Sequence, residues 1–387
     1  MKNNKLNRRK LLQLSGTLAA ATAIIPSAYG SFLLEGSLVE RTPKASGKMR
    51  SFSNENPYGP SQKVQDVILS QVQRINRYPT FHQYDTNSLK STIARKYRID
   101  KNQIILGHGS FEILCMLSRA FGERENSIIV PGLTFNVTGR FADKLFAHKS
   151  LQIPVTRKMD IDLSATRKAV TKATRLVYLC NPNNPTGKCL SVKEIEKFCR
   201  EIATPSCTVA IDEAYIELVD PVYRPATIKL LQERYNVLII RTFSKAYGLA
   251  GLRIGYAMGV PDTIAKLESE HFGFNGLLSN LGVAGAITAL NNDTYVEEYR
   301  LKNKEVRGYV QEALKNFGIE FHPSSTNFIY LNVKDFKRYK AVLEGAGFQL
   351  AVGGWPNFPN WARISIGNLN EMKAYVEAIT NMDWLVV

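Results

Sequence analysis

The sequence predicts an α/β protein with a mainly parallel central sheet flanked by helices, joined to a smaller α+β domain. Between about residues 85 and 290, short β-branched runs alternate with helical patterns, which is typical of a parallel sheet covered on both faces. After residue 291, a long polar helical stretch is followed by separate strands and helices, which indicates an α+β unit. At 387 residues, the chain is long enough for more than one domain.

The composition is that of a globular protein that prefers anionic ligands. Hydrophobic residues make up 44% and charged residues 22% of the chain, and the net charge is +16. The positive charges are spread singly and are not interleaved with aromatic residues, which argues against nucleic-acid binding. The five cysteines form no C-x-x-C pair, so we expect reduced core residues and neither disulfides nor a metal site.

Residues 1–30 have the pattern of an export signal. The stretch Asn7-Arg-Arg-Lys-Leu-Leu-Gln13 resembles the twin-arginine signal, which exports folded proteins, and an apolar run with small residues follows it. That run is too short and too weakly apolar to predict a membrane span. We therefore predict export, with the periplasm as the destination, or a cytoplasmic protein if the signal is not used. A basic tail or a membrane-lying helix is the alternative.

The next segment, residues 31–84, is predicted to be an amino-terminal arm and part of the smaller domain. Residues 41–60 are rich in Pro, Gly, Ser and Asn, which favours an extended chain, whereas residues 64–75 have helical spacing.

Residues 85–290 are predicted to form the larger domain. Strands are expected at 103–106, 127–130, 175–179, 208–211, 237–241 and 255–258, with helices that include 111–121, 135–145 and 192–201. Polar motifs follow these strands, as expected because such sheets bind ligands beyond the carboxyl ends of their strands.

Residues 291–387 are predicted to form the smaller carboxyl-terminal domain. Helices are expected at 293–317, 334–344 and 371–382, and strands at 326–332 and 362–366.

Lys245 follows a predicted strand, close to two hydroxyl residues and an arginine: Thr242, Ser244 and Arg253. A lysine amine traps carbonyl compounds, and hydroxyls with an arginine form an anion site. The combination suits the aldehyde and phosphate of pyridoxal 5'-phosphate, held as a Schiff base. A solvated lysine after a strand is the alternative for an isolated Ser-Lys pair.

Other residues that follow strands supply the remaining groups that this cofactor requires. A carboxylate such as Asp212 keeps the ring nitrogen protonated, and Asn184 and Tyr215 can donate hydrogen bonds to the ring oxygen. Ser110 opens a helix whose amino terminus favours a phosphate, and Phe135 can cover one ring face. Taken singly, Asp212 could be a helix cap, Asn184 a turn former, Arg253 a surface charge and Phe135 plain core, but their order along the chain favours the site.

The motifs Asn184-Pro-Thr-Gly, Asp212-x-x-Tyr215 and Ser244-Lys245…Arg253 closely resemble those of fold-type I pyridoxal phosphate-dependent aminotransferases. The stretch Asn54-Glu-Asn-Pro-Tyr-Gly-Pro60 is most similar to the histidinol-phosphate aminotransferase branch, and the resemblance runs from about residue 50 to the end. It implies transfer of an amino group between an amino donor and a 2-oxo acid acceptor. Lys245 is then the catalytic residue, which binds the cofactor and moves the substrate proton.

The resemblance also implies which residues bind the cofactor and the substrate. The cofactor-binding set is Ser110, Phe135, Asn184, Asp212, Tyr215, Thr242, Ser244, Lys245, Arg253 and Tyr78. Tyr78 is expected to reach the cofactor of the other subunit in a homodimer with shared active sites, and Tyr84 is its rival for that role. Arg363 and Tyr58 are the expected substrate-binding residues.

One departure from the family pattern bears on the substrate. Histidinol-phosphate aminotransferases usually carry a second substrate arginine about a dozen residues before the first, and here Ala351 takes its place. A single arginine favours a substrate with one negative charge, and export fits poorly with a cytosolic biosynthetic step. We therefore predict an aminotransferase for an amino acid or related primary amine, with Trp355, Trp361 and Tyr58 shaping a partly apolar pocket.

Several alternatives stay open at this point. They are a true histidinol-phosphate aminotransferase, a decarboxylase of a phosphorylated amino acid, a racemase or β-elimination enzyme, and a non-catalytic binding protein on the same fold. The intact set of Lys245, Asp212 and Arg253 argues against the last, since a binding protein has no use for an electron sink.

Overall fold

The computed structural model describes residues 49–78, 83–123, 127–146, 149–271, 277–350, 353–355 and 357–385. The predicted export segment, residues 31–48 of the predicted arm and Ala351 lie outside these ranges. Residues Lys48–Val387 form one compact unit. The expected domain boundaries at 84/85 and 290/291 stay predictions.

The strands are short, and most are buried. In chain order they are β1 (Met49–Arg50), β2 (Ile104–His108), β3 (Ile128–Pro131), β4 (Leu151–Ile153), β5 (Leu176–Cys180), β6 (Thr208–Asp212), β7 (Val237–Thr242), β8 (Ile254–Met258), β9 (Phe321–His322), β10 (Phe328–Asn332), β11 (Phe348–Gln349), β12 (Gly353–Trp355) and β13 (Phe358–Ser365).

The α-helices occupy most of the chain between these strands. They are α1 (Gln62–Gln71), α2 (Thr86–Tyr97), α3 (Ser110–Phe121), α4 (Val137–Phe146), α5 (Leu163–Ala169), α6 (Val192–Ile202), α7 (Thr227–Gln232), α8 (Pro261–Ser269), α9 (Asn280–Leu290), α10 (Asp293–Asn316), α11 (Phe336–Gly345) and α12 (Leu369–Thr380).

Seven strands form the central sheet, in the order β2-β8-β7-β6-β5-β3-β4. All neighbouring pairs are parallel except those of β8, which runs antiparallel to β2 and to β7. Alternate residues of β6 enter different apolar clusters, with Val209 and Ile211 in one and Ala210 in another. This burial on both faces confirms the predicted mainly parallel sheet flanked by helices.

Local side-chain contacts explain where two of the predicted helices begin. The hydroxyl of Ser191 accepts a hydrogen bond from Glu194 N–H (3.3 Å), and the Glu194 carboxylate accepts one from Ser191 N–H (2.9 Å), so α6 starts with a capping box. The helix expected at 135–145 starts at Val137, because Asn136 Oδ1 accepts a hydrogen bond from Gly139 N–H (2.8 Å). Phe135 is therefore left in the loop before the helix.

A second sheet has four antiparallel strands in the order β12-β13-β10-β9. Helices α10, α11 and α12 contribute apolar side chains to the core beside it, including Val310, Leu343 and Tyr375. This part of the chain has the α+β character predicted for the carboxyl-terminal region.

The amino-terminal segment connects to the second half of the chain through a short parallel pairing. Strand β1 pairs with β11, with Met49 opposite Phe348 and Arg50 opposite Gln349. The chain then runs without a helix or strand as far as Ser61, whose hydroxyl caps α1. Asn54 lies in the left-handed region (φ 53°), which asparagine tolerates better than most residues. This segment reaches the site described next.

Among the helices of the described residues, none combines the length and the hydrophobicity that crossing a membrane requires.

Candidate active site

The carboxyl ends of the parallel strands open into a cavity of about 1000 Å³. Ten of the twelve predicted site residues line it, namely Ser110, Phe135, Asn184, Asp212, Tyr215, Thr242, Ser244, Lys245, Arg253 and Arg363. The remaining two, Tyr58 and Tyr78, are not among its lining residues. Residues far apart in sequence thus meet at the sheet edge expected for a ligand.

Lys245 lies just beyond β7 and projects its amine into the cavity. Its Nζ donates a hydrogen bond to Ser53 O (2.6 Å) and lies 5.8 Å from the centre of the Tyr215 ring. Burial and the positive charge of Arg363 lower the pKa of Lys245 to about 8, although the Glu55 carboxylate acts in the opposite direction. Such an amine is partly neutral near its pKa, and only the neutral form attacks a carbonyl or takes up a proton.

Asp212 ends β6 with its carboxylate buried in the cavity wall. The Tyr178 hydroxyl donates a hydrogen bond to Oδ2 (3.0 Å), and Ala214 N–H donates one to Oδ1 (3.2 Å). Burial raises the pKa of Asp212 to about 6. A buried carboxylate of this kind is stabilised by a protonated nitrogen placed beside it, since that cation restores its charge balance.

Tyr215 and Asn184 lie together in the same wall. The Tyr215 hydroxyl oxygen accepts hydrogen bonds from Asn54 Nδ2 (3.0 Å) and Asn184 Nδ2 (3.5 Å). Its ring packs edge-on against Phe328 at 5.0 Å. The amide and the hydroxyl are therefore held as a pair of hydrogen-bonding groups on a rigid surface.

Arg363 on β13 is a buried cation that lines the cavity. Its Nη1 donates a hydrogen bond to Asn184 Oδ1 (2.6 Å), and its Nη2 donates one to Phe52 O. Its guanidinium lies over the Phe328 ring at 5.3 Å, and burial lowers the pKa of this arginine. Its Nε has no hydrogen-bond partner among the described residues, so the group retains a donor for a ligand.

An anion site lies where α3 begins. Helix α3 starts after Gly109, which has a φ of 74° and no side chain to cap the helix N–H groups. A Cβ on Gly109 would collide with Arg253 Nη2, and one on Gly255 would collide with Ser110 N. The two glycines therefore let the arginine and the helix amino terminus approach each other, which creates a positively polarised cradle.

Two hydroxyl residues complete this cradle. The Ser244 hydroxyl accepts a hydrogen bond from Arg253 Nη1 (3.3 Å), and Thr242 Oγ1 accepts one from Ser244 N–H (3.1 Å). A charged donor, hydroxyls and free helix N–H groups are the set that binds phosphate esters.

The residues present fit pyridoxal 5'-phosphate. The lack of a Cβ at Gly109 leaves room for Arg253 beside the amino terminus of α3, where the phosphate would bind. Lys245 supplies an amine for the aldehyde, Asp212 a buried carboxylate for the ring nitrogen, and Tyr215 with Asn184 hydrogen bonds for the ring oxygen.

Aromatic side chains form the more open part of the cavity lining. Phe135, 38% exposed, and Trp355 both line it, together with Phe358. Trp361 lies behind them, buried and stacked on Tyr330 at 4.9 Å, and is not a lining residue. Of the residues expected to shape an apolar pocket, Trp355 is thus in a position to contact a ligand, while Trp361 supports the wall.

The three tyrosines near the amino terminus lie outside this cavity. Tyr58 packs edge-on against Tyr299 at 6.1 Å, and the Lys302 ammonium lies over its ring at 5.2 Å. Tyr78 is 79% exposed, whereas Tyr84 is partly buried against the main core. The predicted roles of Tyr58 and Tyr78 therefore stay predictions.

Two residues that contact the catalytic groups have no role in the sequence-based site. Asn54 bonds to Tyr215 and to Ser365, whose hydroxyl donates to Asn54 Oδ1 (2.8 Å). Tyr178 bonds to Asp212 from the middle of the neighbouring strand. Asn54 belongs to a recognisable motif and could have been proposed, whereas a tyrosine within an apolar strand gives no such signal.

Comparison with known proteins shows related sequences and structures that cover most of the chain. Residues 48–379 match the family described as aminotransferase class I and II. The histidinol-phosphate aminotransferase of Moorella thermoacetica is 32% identical over 329 residues, which cover 84% of this chain and 83% of that protein. That of Brevibacillus brevis is 35% identical over 318 residues, which cover 81% and 85% respectively.

A solved structure gives the same result at the level of the fold. Histidinol-phosphate aminotransferase from Sinorhizobium meliloti, in complex with pyridoxal-5'-phosphate, superposes with a TM-score of 0.78 at 25% identity. The superposition covers 92% of this chain and 98% of that one. Residues 48–379, which match the family, include every cavity residue named above.

Proposed function

The chain belongs to the class I and II aminotransferases, and from this premise we propose that its amino donor carries a single negative charge. The chain is a pyridoxal phosphate-dependent aminotransferase near the histidinol-phosphate branch. Within that activity, we propose an amino acid or related primary amine as donor, and a 2-oxo acid as acceptor. The observation that carries the proposal is Arg363, which lines the cavity and whose Nε has no hydrogen-bond partner among the described residues. In the sequence, Ala351 stands where the family usually carries a second arginine.

The residues that would hold the cofactor follow from the geometry of the cavity. In this proposal Ser110, Thr242, Ser244 and Arg253 bind the phosphate, and Phe135 covers a ring face. When bound, pyridoxal phosphate supplies a conjugated ring that accepts the electron pair left on the substrate's α-carbon. The negative charge of Asp212 keeps the ring nitrogen protonated, and Tyr178 holds that carboxylate in place.

The remaining residues act on the substrate. Arg363 binds the substrate carboxylate through its planar fork, in exchange for its bonds to Asn184 and the Phe52 carbonyl. The Lys245 amine, neutral in part because of its lowered pKa, then removes the proton from the substrate's α-carbon.

A screen of amino donors tests the proposal. Purified holoenzyme is supplied with single amino acids, simple primary amines or histidinol phosphate, together with a 2-oxo acid, and kcat/KM is measured for each donor. We expect at least one carboxylate-bearing donor to exceed histidinol phosphate. A higher kcat/KM for histidinol phosphate than for every amino acid would establish the second candidate, a true histidinol-phosphate aminotransferase, which the names of the relatives favour.

We also propose a homodimer with shared active sites. Exposed apolar residues cluster at the end of α1 and beyond it, where Leu69 is 67%, Ile75 66% and Tyr78 79% exposed. A surface of this kind is typical of a protein interface. Light scattering coupled to gel filtration tests the stoichiometry, and a monomer at micromolar concentration would contradict the proposal.

We propose export through residues 1–30 as a separate hypothesis. It is supported by the paired arginines Arg8 and Arg9, the apolar run after them and the absence of acidic residues in this stretch. Replacement of both arginines by lysine, followed by cell fractionation, tests it. Retention of the unaltered protein in the cytoplasm would contradict it.

A further inference from the structure

An ion pair lies in the cavity beside the residues assigned to cofactor and substrate. Arg50 Nη2 is 3.3 Å from Glu55 Oε1, and both residues line the same cavity as Arg363 and Lys245. Neither is part of the phosphate cradle or of the wall that holds Asp212. The pair therefore adds one positive and one negative charge to the cavity that the proposed mechanism does not use.

Backbone contacts fix this pair close to the substrate arginine. Ser51 O accepts a hydrogen bond from Ser365 N–H (3.0 Å), and Phe52 O accepts one from Arg363. Successive α-carbons are about 3.8 Å apart, so the α-carbon of Arg50 lies within about 8 Å of that of Phe52. Arg50 is therefore held near the end of the cavity where Arg363 binds an anion.

The backbone at Glu55 is held by hydrogen bonds from Asn327. Asn327 Nδ2 donates hydrogen bonds to the carbonyl oxygens of Asn54 (2.9 Å) and Glu55 (3.3 Å). Its carboxylate also influences the pKa of Lys245, which it raises against the effect of burial. The negative charge of Glu55 is thus close to the reacting amine and to Arg50.

The anionic end group that the site prefers depends on which cations are free to bind it. A carboxylate carries one negative charge, whereas a phosphate monoester carries about 1.5 to 2 near neutral pH. Arg363 alone balances a carboxylate. Arg50 is a cation of the same cavity lining that could balance the extra charge of a phosphate, but it is paired with Glu55.

We propose that Glu55 selects the anionic end group of the substrate by holding Arg50 in an ion pair, so that a carboxylate is preferred to a phosphate. This rests on the proposed function and names the residue that enforces its substrate class. Glu55 acts through Arg50 and is therefore a specificity-determining residue that positions a neighbouring charge.

A purely structural role explains the pair less well. The side chains of Arg50 and Glu55 are 57% and 34% exposed, and ion pairs with that exposure contribute little to folding. Replacement by the isosteric amide in Glu55→Gln should therefore leave the protein folded and able to bind its cofactor.

The test measures binding of two unreactive ligands to the holoenzyme, butyrate and propyl phosphate. Neither has an amino group, so calorimetric Kd values report on the anion site without turnover. We expect Glu55→Gln to shift the ratio of the two Kd values toward propyl phosphate by about 3-fold to 5-fold, the most that releasing Arg50 from an exposed ion pair can contribute. Glu55→Asp should restore most of the wild-type ratio.

Two further variants separate the mechanism from simple removal of a negative charge. Arg50→Gln and the double variant Arg50→Gln/Glu55→Gln should give the same ratio of Kd values, since the ion pair is absent from both. Glu344→Gln, which removes a surface carboxylate paired with Lys340, is the matched control and should leave the ratio unchanged.

The inference is overturned if Glu55→Gln leaves the ratio within about twofold of wild type. It is also overturned if the shift persists in the absence of Arg50, because Glu55 would then act by direct repulsion. The binding ratios and the donor screen are separate measurements. A wild-type enzyme that prefers histidinol phosphate contradicts the proposed function, whereas unchanged ratios contradict only the role of Glu55.

Discussion

The surroundings of Lys245 weaken the binding of a proton to its amine. Burial and the charge of Arg363 lower its pKa to about 8. In cofactor-free protein, we expect labelling by an amine-reactive reagent to increase as the pH rises through about 8. Arg363→Gln should raise the pKa of Lys245, because it removes the positive neighbour.

Mass spectrometry of the peptide that contains Lys245, over a series of pH values, measures this pKa. Arg338→Gln removes an arginine that lies over Trp384, away from the cavity, and serves as the control. An unshifted lysine, or the same pKa in Arg363→Gln as in wild type, would show that the neighbouring charge has no effect.

The carboxylate of Asp212 lowers stability when no cation accompanies it. Its pKa is raised from 3.8 to about 6 in the folded protein, so the folded state binds the proton more tightly than the unfolded state. Stability therefore falls as the pH rises from about 4 to about 6 and stays lower above that window. A shift of this size corresponds to at most about 3 kcal/mol.

Asp212→Asn should accordingly stabilise the cofactor-free protein by up to about 3 kcal/mol near pH 7.5, and by less near pH 5. It should also weaken binding of pyridoxal phosphate, because the negative charge beside the ring nitrogen is lost. Urea unfolding at the two pH values measures the first effect, with Asp66→Asn on the exposed side of α1 as control. Equal gains at both pH values would argue against a titrating Asp212.

The sequence could predict those side chains whose chemistry is specific and whose spacing is local. Asp212 and Tyr215 are three residues apart, and both follow a strand of apolar residues. The partners of these groups could not be predicted in the same way. Tyr178 lies on the strand beside that of Asp212, two residues before the one paired with Asp212. The distance between Arg50 and Glu55 depends on the path of an irregular segment.

At the level of single elements, the amino terminus of α3 depends on one glycine. Gly109→Ala places a Cβ against Arg253 and puts alanine in the left-handed region. We expect the Kd for pyridoxal phosphate to rise about 10-fold to 100-fold, because a charge-assisted hydrogen bond to the phosphate is weakened. Equilibrium dialysis of pyridoxal phosphate with the cofactor-free protein measures this Kd.

Gly308 offers a matched control on α10. A Cβ there meets open space, so Gly308→Ala should leave cofactor binding unchanged and stabilise the helix by about 0.5–1 kcal/mol. If both variants weakened binding equally, crowding at Arg253 would not be the cause.

Element length decided which strands the sequence could predict. Strands β5, β6 and β7 have five or six residues, mostly apolar and buried, and their boundaries were predicted to within about one residue. Strand β4 has three residues, and β9 and β11 have two each, which is too short for a period to appear. They form because neighbouring strands supply hydrogen-bond partners, which the sequence of the short strand itself does not reveal.

At the scale of the whole molecule, shared active sites predict that two different inactive variants complement each other in a mixed dimer. If Tyr78 of one subunit serves the cofactor of the other, subunits with Lys245→Ala and with Tyr78→Ala should complement each other when mixed. In a hybrid dimer one site receives both native residues, so activity should exceed that of either variant alone. Mixing after partial unfolding and refolding, followed by an activity assay, measures this.

In the matched control, Lys245→Ala subunits are mixed with Lys245→Arg subunits instead of Tyr78→Ala subunits. Both subunits then lack the same lysine, and no arrangement of subunits restores a complete site. Complementation that failed with Tyr78→Ala but occurred with Tyr84→Ala would assign the role to the rival tyrosine.

The path of the amino-terminal segment has a practical consequence for how the chain can be altered. Consecutive residues Phe52, Ser53 and Asn54 contact the substrate arginine, the catalytic lysine and Tyr215. All three contacts are made by residues downstream of Met49. Proteolytic trimming through Asn54 removes all of them while the central sheet keeps every strand. A nicked preparation of this enzyme can therefore look intact by its secondary structure and yet be inactive.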